Sequence, residues 1–107
     1  MTKPHASKET IQRLIVGKAV EGLLVTGMAI SVETGDQEPL LGLSDEPGTI
    51  MAAIFASDSS EVWLFNDSRG LWVKLILDNG VEVISDYHAR LEGALAKANA
   101  LAIALEG

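Results

Sequence analysis

The tripeptide Asp78-Asn79-Gly80 constrains the fold of this chain more than any other local feature of the sequence. Asn-Gly readily adopts the positive φ values that a two-residue hairpin turn requires. The tripeptide lies between two apolar segments of strand composition, residues 71–77 and 81–85, and the turn-rich residues 66–70 separate the first of these from a third segment at 62–65. The sequence therefore predicts an antiparallel meander of three strands.

Apolar side chains recur at three- and four-residue steps near both ends of the chain, which predicts two helices. The first covers residues 7–25, with Ser7 as its N-cap and Gly27 as a left-handed terminator. The last covers residues 87–105, with Asp86 as its cap. The apolar stripe of the first helix is expected to pack on the sheet and consists of Ile11, Leu14, Ile15, Ala19 and Leu23.

Two more strands and one more helix are predicted before the meander. Residues 28–33 and 38–43 have strand composition around a turn at 34–37. The segment Ser44-Asp45-Glu46-Pro47 is typical of a helix N-terminus, in which the Ser44 hydroxyl caps, the acids suit the helix dipole and the proline needs no donor. The order α-β-β-α-β-β-β-α predicts one α+β domain over residues 1–107. We expect a five-stranded, mainly antiparallel sheet with helices packed on one face, and a mobile terminus at residues 1–6.

Length and composition restrict the class of protein. The 107 residues suit one hydrophobic core, and the lack of cysteine excludes disulfides, thiolate metal sites and a cysteine nucleophile. A cysteine-free chain is typical of the cytoplasm. No apolar run approaches the roughly 18 residues of a membrane span, and none follows the basic N-terminus as in a signal peptide. A cytoplasmic protein without a membrane partner is therefore expected.

Charge is distributed unevenly along the chain. The fifty residues between Lys18 and Arg69 contain nine acids and no base, while the whole chain has a net charge of −7. The acids could form a negative face that docks on the basic surface of a nucleic-acid-binding protein in place of phosphates. Alternatively, they are turn and cap residues that keep the protein soluble. Direct nucleic-acid binding is not expected, because it needs clustered Lys and Arg. The candidate partner-binding residues are Glu33, Asp36, Glu38, Asp45, Glu46, Asp58, Glu61 and Asp67.

No catalytic, cofactor or metal site is predicted. His5 belongs to the N-terminal segment, and only Asp86, Tyr87 and His88 form a group that could hold a proton-transfer residue. These three are adjacent in sequence, so their side chains point in different directions, and an ordinary helix start explains them. The sequence contains no histidine pair at helical spacing, no calcium-loop pattern and no phosphate-binding glycine motif. We therefore expect a protein that is not an enzyme.

Aromatic residues on the predicted meander leave two interpretations open. Trp63, Phe65 and Trp72 fall on neighbouring strands and could simply pack in the core. If helices cover only one face of the sheet, some of these rings and Ile76 face outward. Such a face would mark a contact surface for a partner or for a second copy of the chain.

The order of these pieces resembles small uncharacterised proteins encoded by phages and prophages. The resemblance rests on Ile30-Ser31-Val32 before a Gly-Asp turn, Trp72-Val73, Asn79-Gly80, and residues 83–87 leading into a Leu-Ala-rich helix. Small acidic phage proteins without an enzymatic motif are also similar to many anti-CRISPR proteins, which commonly bind a host defence complex stoichiometrically. The resemblance implies an inhibitor of a host complex with a basic surface, such as a CRISPR effector complex. The alternative is a homo-oligomeric structural or accessory phage protein.

Overall fold

A computed structural model describes residues 8–35 and 39–106 of the chain. Its element order and its antiparallel five-stranded sheet confirm the predicted α+β fold. The Ser7 cap and the terminus at residues 1–6 lie outside the described residues. The elements are α1 (Lys8–Val25), β1 (Ile30–Glu33), β2 (Leu41–Ser44), α2 (Pro47–Ala56), β3 (Glu61–Phe65), β4 (Trp72–Ile76), β5 (Ile84–Tyr87) and α3 (Ala96–Glu106).

The sheet has the strand order β2-β1-β3-β4-β5, and every neighbouring pair is antiparallel. In the registers, Leu64 of β3 lies between Val32 of β1 and Val73 of β4. These three side chains are at most 1% exposed. Because successive side chains of a strand point to opposite faces, this row defines the face of the sheet that forms the core.

The helices cover that face. Ile15, Val16, Ala19, Val20 and Leu23 of α1 are fully buried, as are Ile50 and Ile54 of α2 and Ala98 of α3. The predicted stripe of α1 is therefore correct at Ile15, Ala19 and Leu23 but wrong at Leu14, which is 50% exposed. Gln12 lies on the buried side instead at 3% exposure, because its Oε1 accepts a hydrogen bond from the backbone N–H of Asp78 beyond β4.

Local hydrogen bonds and backbone conformation determine where α1 ends and where α2 begins. Gly27 has φ +92°, and its N–H donates to the carbonyl of Leu24, which confirms it as the terminator of α1. At α2 the cap is Glu46 rather than Ser44: its Oε1 accepts from the Gly48 N–H at 2.9 Å, and Pro47 is the first helical residue. The Ser44 hydroxyl instead accepts from the Glu46 N–H at 3.1 Å, one step before the helix.

The predicted two-residue turn at Asn79-Gly80 is wrong. Asn79 has φ −105°, and positive φ values occur at Asp78 (+68°) and Gly80 (+60°). A short 3₁₀ turn over Gly80–Glu82 follows, so that β5 starts at Ile84. The physical reason is packing, since Val83 is fully buried in the core and the longer connection allows it to reach there.

The last helix also begins later than predicted. Tyr87 ends β5, and Asp86 accepts a hydrogen bond from the Tyr87 N–H on that strand instead of capping a helix. The cap of the next turn is His88, whose Nδ1 accepts from the N–H of Arg90 at 3.1 Å. A 3₁₀ turn at Ala89–Leu91 places Leu91 in the core before α3 starts at Ala96.

Candidate binding surface

Within residues 8–35 and 39–106, no helix covers the second face of the sheet, and we call it the open face. Its residues alternate with the buried row: Phe65 pairs with Ser31 and Trp72, and Trp63 pairs with Glu33 and Lys74. The large side chains of this face are partly exposed and do not belong to the core cluster. The strand residues of the open face are Ser31, Glu33, Glu61, Trp63, Phe65, Trp72, Lys74, Ile76 and Asp86.

Three aromatic rings form the centre of the open face. The Trp63 and Phe65 rings are nearly parallel, with an interplanar angle of 9° and centroids 6.1 Å apart. The Trp63 and Trp72 rings are tilted by 54°, with centroids 5.6 Å apart. These distances fall in the range of favourable aromatic pairs, so each ring restricts the orientation of the next. The result is a continuous apolar strip across β3 and β4.

Two cations lie over these rings. The Arg69 guanidinium carbon is 4.2 Å from the centroid of the Phe65 ring, and the Lys74 Nζ is 5.6 Å from that of Trp63. Arg69 belongs to the β3–β4 turn, where it has φ +60° and its N–H donates to the Asn66 carbonyl. The conformation of that turn therefore places the arginine over the open face.

The Arg69 side chain continues past Phe65 to form an ion pair and hydrogen bond with Glu33 on β1. This hydrogen bond from Arg69 lowers the pKa of Glu33 below its ordinary value, aided by the nearby guanidinium charge and the Ser31 hydroxyl and opposed by burial. The same hydrogen bond raises the pKa of Arg69. Glu33, Thr34, Gly35, Trp63, Phe65 and Arg69 line a shallow cleft of about 320 Å³ at this point.

Other acids of the open face also have local partners. Glu61 accepts a hydrogen bond of 2.9 Å from the indole Nε1 of Trp63, which fixes the edge of that ring. Asp86 lies opposite Lys74 across the β4–β5 pair. The open face thus combines an aromatic centre with charges of both signs.

The predicted acidic residues do not gather on one surface. Glu33 and Glu61 lie on the open face, and Asp58 precedes Glu61 at the same end of β3. Asp45, Glu46 and Asp67 lie at the other end of the strands, about 13 Å away along β3. Asp36 and Glu38 lie outside the described residues.

Sequence reasoning found some of this surface and missed its most connected residue. The sequence predicted that some of Trp63, Phe65, Trp72 and Ile76 face outward if helices cover one face of the sheet, and all four lie on the open face. Arg69 was not singled out. Its position over Phe65 depends on the backbone of the turn, and no residue pattern indicates it.

Chemistry-bearing groups are sparse in the rest of the described chain. Residues 8–35 and 39–106 contain no group of three or more His, Asp or Glu close enough to hold a metal ion. Asp86 and His88 are occupied by the backbone hydrogen bonds described above. Among the described helices, none is long and apolar enough to cross a membrane.

Comparison with known proteins adds no relative to this picture. No protein-family model matches the chain, and no curated protein or solved structure is significantly similar to it. The similarity to phage proteins remains a prediction.

Proposed function

We propose that this protein acts by binding another protein through the open face, without catalysing a reaction. The observation that carries the proposal is the outward placement of Trp63, Phe65 and Trp72 on the uncovered side of the sheet. Tryptophan and arginine are enriched among the few residues that dominate binding energy at protein interfaces. The rings are held by each other and by Arg69, so little side-chain entropy is lost when a partner covers them.

Charge favours a protein over a nucleic acid as the partner. A single-stranded nucleic acid would stack its bases on free aromatic faces within a positive groove. Here the faces of Phe65 and Trp63 are occupied by the protein's own cations, and the carboxylates of Glu33, Glu61 and Asp86 share the surface. With a net charge of −7, the chain as a whole repels phosphates.

The experiment compares the proteins captured by the tagged wild type with those captured by the variants Trp72→Ala and Trp63→Ala. We expect both variants to lose the same partner while remaining folded by circular dichroism. Leu14→Ser and Ile103→Ser are matched controls, because these residues are 50% and 70% exposed and lie on helices away from the open face. Loss of the partner in the controls as well, or its retention in both tryptophan variants, would refute the proposal.

A second candidate function uses the acids rather than the rings. Asp45, Glu46, Asp58, Glu61 and Asp67 form no ion pair within residues 8–35 and 39–106. Their charges are therefore available to a basic surface of a host protein complex that handles nucleic acid. On this proposal the protein is a cytoplasmic inhibitor of a host defence complex, similar to the anti-CRISPR class.

Ionic strength separates the two candidates. Docking through unpaired acids weakens steeply with salt, whereas aromatic contacts in a desolvated patch do not. Reversal of Asp45, Glu46, Asp58 and Asp67 to lysine should abolish an acid-driven complex and leave an open-face complex in place. Retention of a salt-sensitive partner by this quadruple variant would exclude the acidic docking candidate.

A further inference from the structure

A groove runs between α1 and the beginning of α2, on the side of the molecule opposite the open face. We call it the α1–α2 groove, and its volume is about 460 Å³. Its walls include Gly17 and Leu24 of α1, Pro47 and Met51 of α2, and the acids Glu21 and Asp45. The groove lies in the helix layer, so its contacts are independent of the proposed function of the open face.

Two of the residues that line the groove are glycines, one from each helix. Gly17 lies in the middle of α1, and a Cβ added there would meet only the terminal methyl of Met51, at 3.7 Å. Gly48, in the first turn of α2, also lines the groove. The fully buried Val20 forms part of the floor, and Val25 at the end of the groove is 81% exposed. An apolar floor open to solvent between two helices can take the apolar side chains of a third.

The charged residues at the groove determine the charge of a third helix that would fit there. Glu21 and Asp45 line the groove, and none of the lining residues is basic. Lys18 reaches Glu21 only as an exposed ion pair with an Nζ to Oε2 distance of 3.9 Å, and such pairs contribute little. Glu46 follows Asp45 at the same end. An apolar segment flanked by Lys or Arg therefore complements the groove, whereas an acidic one is repelled.

We propose that the α1–α2 groove is a docking site for a basic amphipathic helix of another protein. The groove follows α1 from Gly17 to Val25, about 12 Å or two helical turns. This length matches apolar anchors at positions i, i+3 or i+4, and i+7 of a bound helix. Basic residues on either side of that stripe lie beside Glu21 and Asp45.

The test uses the full chain and a fluorescent peptide of about 14 residues with leucines on one helical face and lysines on the other. A peptide with glutamate in place of lysine is the control ligand. We expect the lysine peptide to bind, the glutamate peptide not to bind, and affinity to fall between about 0.05 and 0.3 M salt. Backbone amide shifts in NMR spectra should map the bound lysine peptide to Gly17, Leu24 and Gly48.

Variants of the protein distinguish binding in the groove from non-specific attraction of the basic peptide to an acidic protein. Gly17→Leu fills the groove and should lower affinity at least about tenfold, while a thermal melt shows that the protein remains folded. Glu21→Lys with Asp45→Lys should lower affinity to a similar degree. Glu82→Lys with Glu92→Lys makes the same change in net charge at exposed sites elsewhere, and should leave affinity within about twofold.

Three results would overturn the proposal: unchanged affinity in Gly17→Leu, equal losses in the two double charge variants, or amide shifts that map to Trp63 and Trp72 instead of the groove. The open-face proposal has a separate readout. Trp72→Ala should leave the affinity for the lysine peptide unchanged, so failure of either proposal is recognised without the other.

Discussion

The close approach of Gly22 in α1 to the backbone of Ala94 gives the sharpest prediction about stability. Gly22 of α1 faces the residues that precede α3, and a Cβ added at Gly22 would lie 2.0 Å from the carbonyl oxygen of Ala94. Ordinary van der Waals contact begins at 3.4 Å, so the substitution Gly22→Ala leaves the two segments about 1.4 Å too close. The clashing atom belongs to the backbone, and a change of side-chain rotamer cannot relieve it.

The magnitude follows from two opposing effects. Overpacking of this kind costs about 1–3 kcal/mol, and a rigid backbone partner places Gly22→Ala near the upper end. Replacing glycine by alanine inside a helix returns about 1 kcal/mol of helix propensity. The expected net loss in the free energy of unfolding is therefore about 2 kcal/mol. For a domain of this size that loss lowers the melting temperature by roughly 10 °C.

The matched control is Gly17→Ala on the same helix. Its Cβ would meet Met51 at 3.7 Å, an ordinary contact, so only the gain in helix propensity remains. We expect this variant to be more stable than wild type by about 0.5–1 kcal/mol. Thermal melts followed by circular dichroism measure both variants. A Gly22→Ala protein as stable as Gly17→Ala would refute the contact between α1 and the Ala94 carbonyl.

Three further predictions concern other contacts. Because Arg69 lowers the pKa of Glu33, that carboxylate stabilises the fold above the ordinary Glu pKa, and this contribution disappears as pH falls through the lowered pKa. Glu33→Gln should thus lower the free energy of unfolding by up to about 1 kcal/mol at pH 7 and leave it unchanged in strong acid. Thermal melts of wild type and variant across pH measure this difference, and a difference that does not change with pH would contradict the ion pair. Gln12→Leu removes the acceptor of the Asp78 N–H and should cost about 1 kcal/mol in a denaturant titration, whereas an unchanged midpoint would contradict this. Glu46→Ala removes the cap of α2 and should cost about 1 kcal/mol, while Glu46→Ser, which restores a capping oxygen, should recover most of it.

Much of the fold could be predicted because short-range patterns agree with the final packing. The alternation of Trp63, Leu64 and Phe65 on β3 gives both faces of the sheet correctly. Gly27 stops α1 as its conformational freedom predicts. The Asn79-Gly80 turn failed because the burial of Val83 outweighs the preference of that dipeptide for a tight hairpin. No residue pattern indicates the burial of Gln12, because the Asp78 N–H that donates to its Oε1 comes from a distant part of the chain.

The candidate surfaces were less predictable than the fold. Nine acids fall between Lys18 and Arg69 without a base, but the extended strand β3 places Glu61 and Asp67 at opposite ends of the sheet. The link between Arg69 and Glu33 depends on the turn after β3, which has no signature in the residue pattern. The α1–α2 groove is lined by residues of two helices, such as Gly17 and Gly48, which are far apart in sequence.

The two proposed surfaces are separated by the sheet and its core. The open face offers aromatic rings with charges of both signs, whereas the α1–α2 groove offers an apolar floor beside Glu21 and Asp45. A partner that fits one therefore does not fit the other, because the groove repels acidic segments and the open face has its own cations over Phe65 and Trp63. Since neither surface shares a residue with the other, occupancy of one leaves the contacts of the other intact. The open-face proposal and the groove proposal can therefore be tested independently, each with variants that leave the other surface unchanged.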